Sequence, residues 1–219
     1  MQIALDGPAG AGKSTVAKAI AKEMKIVYLD TGAMYRAVAL YMVRQGILPE
    51  DIGAVEKALQ DVVLSIEYDS GVQKIYLCGE DVSQAIRENQ ISAAASAFSA
   101  IPAVRLFLVQ MQRKMAAESD CVLDGRDIGT FVLPNADFKF YLTADAAERA
   151  KRRAAELAAR GEKAEVKEIQ KEIEARDYAD SHREFAPLRK AEDAVLVDST
   201  HLSAQQVTDF IINKIKEGK

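Results

Sequence analysis

The chain has 219 residues, 49% of them apolar and 28% charged, with a formal net charge of −4. That length and apolar content fill the core of one sizeable α/β domain with inserted subdomains and exclude a disordered chain. The negative balance leaves no basic excess to displace counterions along a polynucleotide, so a generic nucleic-acid binder is excluded and any phosphate handling is local.

The first strand is expected at residues 3–6, so early that no signal or transit peptide fits before it. Directly behind it runs G-P-A-G-A-G-K-S, Gly7 to Ser14, and then an amphipathic helix over residues 15–24 that buries Val16, Ala17, Ile20, Ala21 and Met24. The octapeptide fits G-x-x-x-x-G-K-[ST], the phosphate-binding P-loop, a pattern that chance produces in roughly one chain per hundred of this length. Its glycines turn backbone N–H groups inward, the helix behind adds its positive end, and Lys13 supplies a mobile charge. Gly7, Pro8, Ala9, Gly10, Ala11, Gly12, Lys13, Ser14 and Thr15 are therefore the expected ATP cradle, with the Ser14 hydroxyl on the Mg²⁺ that accompanies a triphosphate.

Further β-rich segments fall at residues 26–30, 121–124, 138–142 and 194–198, separated by helical patterns. Such alternation predicts a parallel five-stranded sheet covered by helices. Asp30, Asp124 and Asp198 end three of these strands, where open α/β sheets gather ligands. Asp124 either holds a Mg²⁺ water or fixes the turn behind it, and Asp198 either serves a ligand or caps its turn.

One region breaks the alternation. Residues 64–68 and 72–78 alternate with period 2 around Asp69-Ser70-Gly71, which predicts a β-hairpin standing off the main sheet. Cys78 and Cys121 have no C-x-x-C and no histidine cluster beside them, so neither a disulfide nor a zinc site is supported, and both read as buried small hydrophobes. The longest charge-free run, residues 89–104, is 16 residues of mostly Ala and Ser with Pro102 inside it, too short for a membrane span. A soluble cytoplasmic protein is expected. The last helix starts at Ser203 with Gln206 completing a capping box, and buries Val207, Phe210, Ile211 and Ile215.

Arginines stand where solvated ion pairs seldom gather. Arg36 follows the second strand, Arg105 follows Pro102, Arg126 lies in D-G-R-D, and Arg176 and Arg183 frame R-D-Y-A-D-S-H-R. Transfer of a phosphoryl group between two anions needs such forks to cancel their repulsion. A phosphate-monoester acceptor is already ionised near neutral pH and needs no general base. The only histidines, His182 and His201, are read as away from strand ends, in keeping with that. Residues 145–161 form a basic Ala-rich helix ending at Gly161, with i,i+4 pairs Glu148–Arg152 and Glu156–Arg160. It reads as a lid that excludes water from the triphosphate, with phosphate contacts open among Arg149, Arg152, Arg153 and Arg160.

The blocks G-P-A-G-A-G-K-S, D-T-G-A-M-Y-R, S-A-F-S-A-I-P-A-V-R, D-G-R-D-I-G-T and R-D-Y-A-D-S-H-R, in this order over nearly the whole chain, resemble the bacterial cytidylate kinases. The resemblance implies Mg²⁺-dependent transfer of the ATP γ-phosphoryl group to CMP or dCMP. It also implies a P-loop core at residues 1–35, 105–147 and 165–219, a CMP-binding insert with the hairpin at 36–104, and a lid at 148–164. By the same resemblance Ser96, Arg105 and Asp127 hold the cytosine, Arg176 and Asp180 the ribose, and Thr31, Arg36, Arg126 and Arg183 the monophosphate, with Tyr35 close by. Lys13, Arg126 and Arg183 are then the catalytic set and Arg153 joins the ATP contacts. Asp180 also has a local alternative, an ion pair along its own helix.

The base set is chemically consistent. Cytosine presents a donor amine beside an acceptor nitrogen, which Asp127 and Ser96 as acceptors and Arg105 as donor complement. Alternatives are a UMP or AMP kinase on the same core, an alcohol kinase, or a nucleotide-dependent switch without turnover. A monomer is expected because no apolar helix face is left unexplained.

Overall fold

The computed structural model describes residues 1–69, 72–159, 161 and 164–218. In chain order the elements are β1 (Gln2–Asp6), α1 (Lys13–Met24), β2 (Val27–Asp30), α2 (Thr31–Arg44), α3 (Ile52–Leu59), β3 (Leu64–Asp69), β4 (Val72–Leu77), β5 (Glu80–Asp81), α4 (Asn89–Phe98), α5 (Pro102–Glu118), β6 (Cys121–Gly125), β7 (Phe138–Thr143), α6 (Ala146–Ala159), α7 (Val166–His182), β8 (Val195–Asp198) and α8 (Ala204–Glu217). The expected five-stranded parallel sheet is present with order β2-β6-β1-β7-β8, beside a small antiparallel sheet β3-β4-β5. The chain divides into two compact units, residues 1–26 with 120–219, and residues 27–119.

In the first unit β1 lies between β6 and β7, and Ile3, Ala4 and Leu5 have no exposed surface, as suits a strand covered on both faces. Asp6 is in register with Gly125, the last residue of β6, and with Tyr141, two residues before the end of β7. Helix α1 buries Val16, Ala17, Ile20 and Ala21 as expected, while Met24 at its end is half-buried. Helix α8 has the predicted capping box of Ser203 and Gln206. Its buried stripe runs Val207, Thr208, Ile211, Ile212, Ile215, which leaves Phe210 on the margin at 39% exposed rather than in the core. Helices α6 and α7 pack through a small apolar cluster of Ala150, Leu157, Ile169 and Ile173.

In the second unit the hairpin pairs Ile66 with Ile75 and Leu64 with Leu77. Its tip, Ser70 and Gly71, lies outside the described residues. Cys121 is buried as expected, but Cys78 is exposed. Cys78 and Gly79 have φ of 49° and 84°, the paired positive values of the two-residue turn that links β4 to β5, and a residue at such a tip faces water. Among the described residues no single helix is long and apolar enough to cross a membrane. Helices α4 and α5 together would meet that length and composition, but they are bent by 101° and bury Ile91, Phe98, Val104 and Leu108.

Candidate active site

The loop after β1 carries the first half of the site. Gly7 has φ of 149°, and a Cβ there would lie 1.9 Å from the Leu142 carbonyl oxygen, so only glycine lets the chain leave β1 this close to β7. Lys13 opens α1, is 6% exposed, and donates from Nζ to the Pro8 carbonyl at 2.7 Å. Burial, followed by repulsion from Arg126, holds its ammonium well below the ordinary lysine range. The negative charge of an arriving phosphate opposes both effects. The Ser14 hydroxyl donates to Asp124 Oδ2 at 2.7 Å. Two hard oxygen donors from separate segments thus converge, a set that fits Mg²⁺, an ion that keeps several waters and takes its other oxygens from phosphate.

A carboxylate anchors the next segment. Asp6 accepts from the backbone N–H of Ile128 and of Gly129, each at 2.7 Å, and is 4% exposed. Burial pushes its carboxyl up to about 7, against the two amides that hold it down. These bonds fix the D-G-R-D-I-G turn that presents Arg126 and Asp127.

Within the same unit Arg126 Nε donates to Asp180 Oδ2 at 2.8 Å. Arg183 lies 3.6 Å from both Asp180 and Asp127, and its Nε donates to the Ala186 carbonyl at 2.7 Å. Burial opposes the charge of Asp180, yet the guanidiniums of Arg126, Arg176 and Arg183 together hold its carboxyl below the ordinary range. The helical pair expected for Asp180 exists with Arg183, but its shortest bond comes from Arg126 on the loop after β6. The guanidiniums of Arg126, Arg176 and Arg183 thus gather around Asp180 and Asp127, and such forks are the groups that grip a phosphate.

The second unit assembles its own polar cup. Asp30 caps α2 by accepting from Ala33 N at 2.8 Å and pairs with Arg36 at 3.3 Å. Gln73 on the hairpin accepts from Asp30 N–H at 2.8 Å, which ties β4 to the end of β2. Thr31 is 2% exposed in the first turn of α2. Arg105, 1% exposed, stacks its guanidinium 5.2 Å from the centre of the Tyr35 ring and donates to the Ser99 carbonyl at 3.0 Å. Ser96 lies half-buried on α4, one turn from Ser99, whose hydroxyl donates to the Ser96 carbonyl at 2.9 Å.

The arginines of the expected lid separate. Arg149 is buried and donates to the carbonyls of Ala144 and Ala9, each at 2.8 Å. Arg152 bonds the Ser199 carbonyl at 2.6 Å and pairs with Glu148 at 3.4 Å, while Arg153 pairs with Glu156 at 3.2 Å. Arg160, and with it the expected pair to Glu156, lies outside the described residues. Asp198 caps its own turn by accepting from the N–H and the hydroxyl of Thr200. His182 is away from any strand end, but His201 is not, being three residues past β8, and it is exposed.

Sequence reasoning misses Asp6 and Asp177. Asp6 ends β1 as Asp30 and Asp198 end theirs, with Asp124 one residue before the end of β6, so the same signal was available. Asp177 sits inside R-D-Y-A-D and carries no local signal, since its partners Ala9 and Arg149 are remote in sequence.

A family model described as Cytidylate kinase matches residues 3–217. Curated relatives of that name include one from Halalkalibacterium halodurans, 44% identical over 99% of this chain and 98% of its own. Another, from Carboxydothermus hydrogenoformans, is 47% identical over 98% of this chain and 97% of its own. Among solved structures, an uncharacterized protein from Eubacterium ventriosum has a TM-score of 0.53 at 15% identity, covering 99% of this chain and 98% of its own. That likeness is one of fold.

Proposed function

The chain belongs to the cytidylate kinase family, and from that membership we propose that it transfers the γ-phosphoryl group of ATP to CMP or dCMP, giving ADP and CDP or dCDP. The observation that carries this reading is the largely buried cluster of Arg126, Asp127, Asp180 and Arg183 in the same unit as the Lys13 loop. A switch that bound only a triphosphate would have no use for a second cationic pocket.

In this reading the amides of residues 7–15 and Lys13 hold the ATP phosphates, and Arg153 of the lid, residues 148–164, adds charge as water is shut out. Ser14 directly and Asp124 through water would hold Mg²⁺, which supplies charge neutralisation on the phosphates when bound. Arg126 and Arg183 hold the acceptor phosphate with Thr31 and Arg36, Tyr35 lying beside them. Arg176 and Asp180 take the ribose. Ser96, Arg105 and Asp127 take the cytosine edge. The acceptor phosphate is itself the nucleophile, so the chain's part is to position and to neutralise. A single copy suffices, and we expect a monomer working in the cytoplasm, where ATP and pyrimidine monophosphates are found.

A coupled assay of ADP release with Mg²⁺ and ATP tests the reading. ADP should form rapidly on adding CMP or dCMP and hardly at all without an acceptor. ADP formation that ignores CMP contradicts it.

A further inference from the structure

We propose that Asp177 is a positioning residue that links the phosphate loop to helix α7, so that filling one nucleotide site is felt at the other. The proposal rests on the reading of α7 as the helix that holds the acceptor.

Asp177 Oδ1 accepts from the Ala9 N–H at 3.0 Å, and its Oδ2 accepts from Arg149 Nη1 at 2.5 Å. The same Nη1 donates to the Ala9 carbonyl at 2.8 Å. A carboxylate–guanidinium pair therefore holds Ala9 through both its N–H and its C=O. Arg149 is fixed in turn, because its Nε donates to the Ala144 carbonyl just past β7 at 2.8 Å.

Packing around the next residue has the same arrangement. A Cβ on Gly10 would lie 3.2 Å from Arg149 Cβ and 3.6 Å from Ile173 Cδ1, so the loop tip, exposed on its other side, rests against both α6 and α7. A carboxylate placed beside a polyphosphate cradle would by itself repel the ligand. Here both its oxygens are engaged, one by a backbone amide and one by a guanidinium, and what remains is a mechanical tie.

On α7 Asp177 follows Arg176 directly and stands one turn before Asp180, whose carboxylate receives Arg126. A helix of 17 residues moves largely as a body. Closure of the loop on a phosphate shifts Ala9 and Gly10, and the tie carries that shift to Arg176, Asp180 and Arg183. By linkage the reverse also holds, so each nucleotide tightens the other by the same factor.

The test is CMP binding by calorimetry, with and without saturating Mg²⁺ and a non-hydrolysable ATP analogue, in the wild type, Asp177→Asn and Arg149→Lys. In the wild type the analogue should tighten CMP by about 5-fold or more. In both variants that factor should fall to within about twofold of unity, with each ligand still binding alone, a pattern that general destabilisation does not produce. An unchanged factor in Asp177→Asn, or a wild type with no coupling, overturns the link. A wild type that does not bind CMP at all overturns the kinase reading instead, before any variant is made. If Asp177→Asn does not fold by circular dichroism, Arg149→Lys decides the matter, since a lysine cannot fork to Ala9 and Asp177 as the guanidinium does.

Discussion

A carboxylate sealed at the end of β1 destabilises a protein unless something holds it, and Asp6 is held by two consecutive amides. Its carboxyl, ordinarily near 3.8, is pushed up to about 7 by burial. Between those values the folded chain binds more protons at this site than the unfolded chain, so its contribution to stability declines as pH rises from about 4 to 7 and is flat above. Urea denaturation at pH 4.5 to 7.5 should show a flatter pH profile for Asp6→Asn than for the wild type, and parallel profiles would contradict this. The two cysteines give a second residue-scale check. Burial pushes the Cys121 thiol up to about 11, while Cys78 is exposed at its turn. A thiol reagent should label one equivalent in the native protein and two after unfolding; two fast equivalents would refute the burial of Cys121, and none would refute the exposed turn at Cys78. Lys13→Met should lower kcat by orders of magnitude with the fold intact, because the lost charge acts chiefly on the transition state. Unaltered turnover would remove Lys13 from the catalytic set.

At the scale of elements, local chemistry made much of the fold legible. The alternating strands and helices, the period-2 hairpin, and Ser203 with Gln206 all depend on neighbours within a turn or two, which is the range over which periodicity and capping act. Ser203→Ala removes the cap of α8 and should cost about 1 kcal/mol, read as a lower urea midpoint at unchanged slope; no change would mean that packing of Val207 and Ile211 alone holds that helix. What stayed illegible depends on residues far apart in sequence. The bond from Arg126 to Asp180 and the hold of Asp177 on Ala9 follow from how α7 lies on the loops of its unit, and no spacing encodes that. The reading of Phe210 fails for a related reason, since a stripe drawn from apolar letters alone cannot say which of two adjacent faces α1 and the rest of the unit will cover.

At the scale of the whole molecule, a net charge of −4 coexists with concentrated positive charge beside one loop, so the chain meets anions locally while repelling them at long range. Each of the two units holds arginines in polar contacts of its own, Arg126 and Arg183 in one and Arg36 and Arg105 in the other. The central claim is that the chain phosphorylates a cytosine monophosphate. Uracil reverses the hydrogen-bonding groups of that edge and would leave buried partners unpaired, at about 1–3 kcal/mol for each. Comparison of kcat/KM for CMP and UMP with saturating ATP and Mg²⁺ tests this most directly. The account predicts a preference for CMP of at least about tenfold, and equal values for the two nucleotides would contradict it.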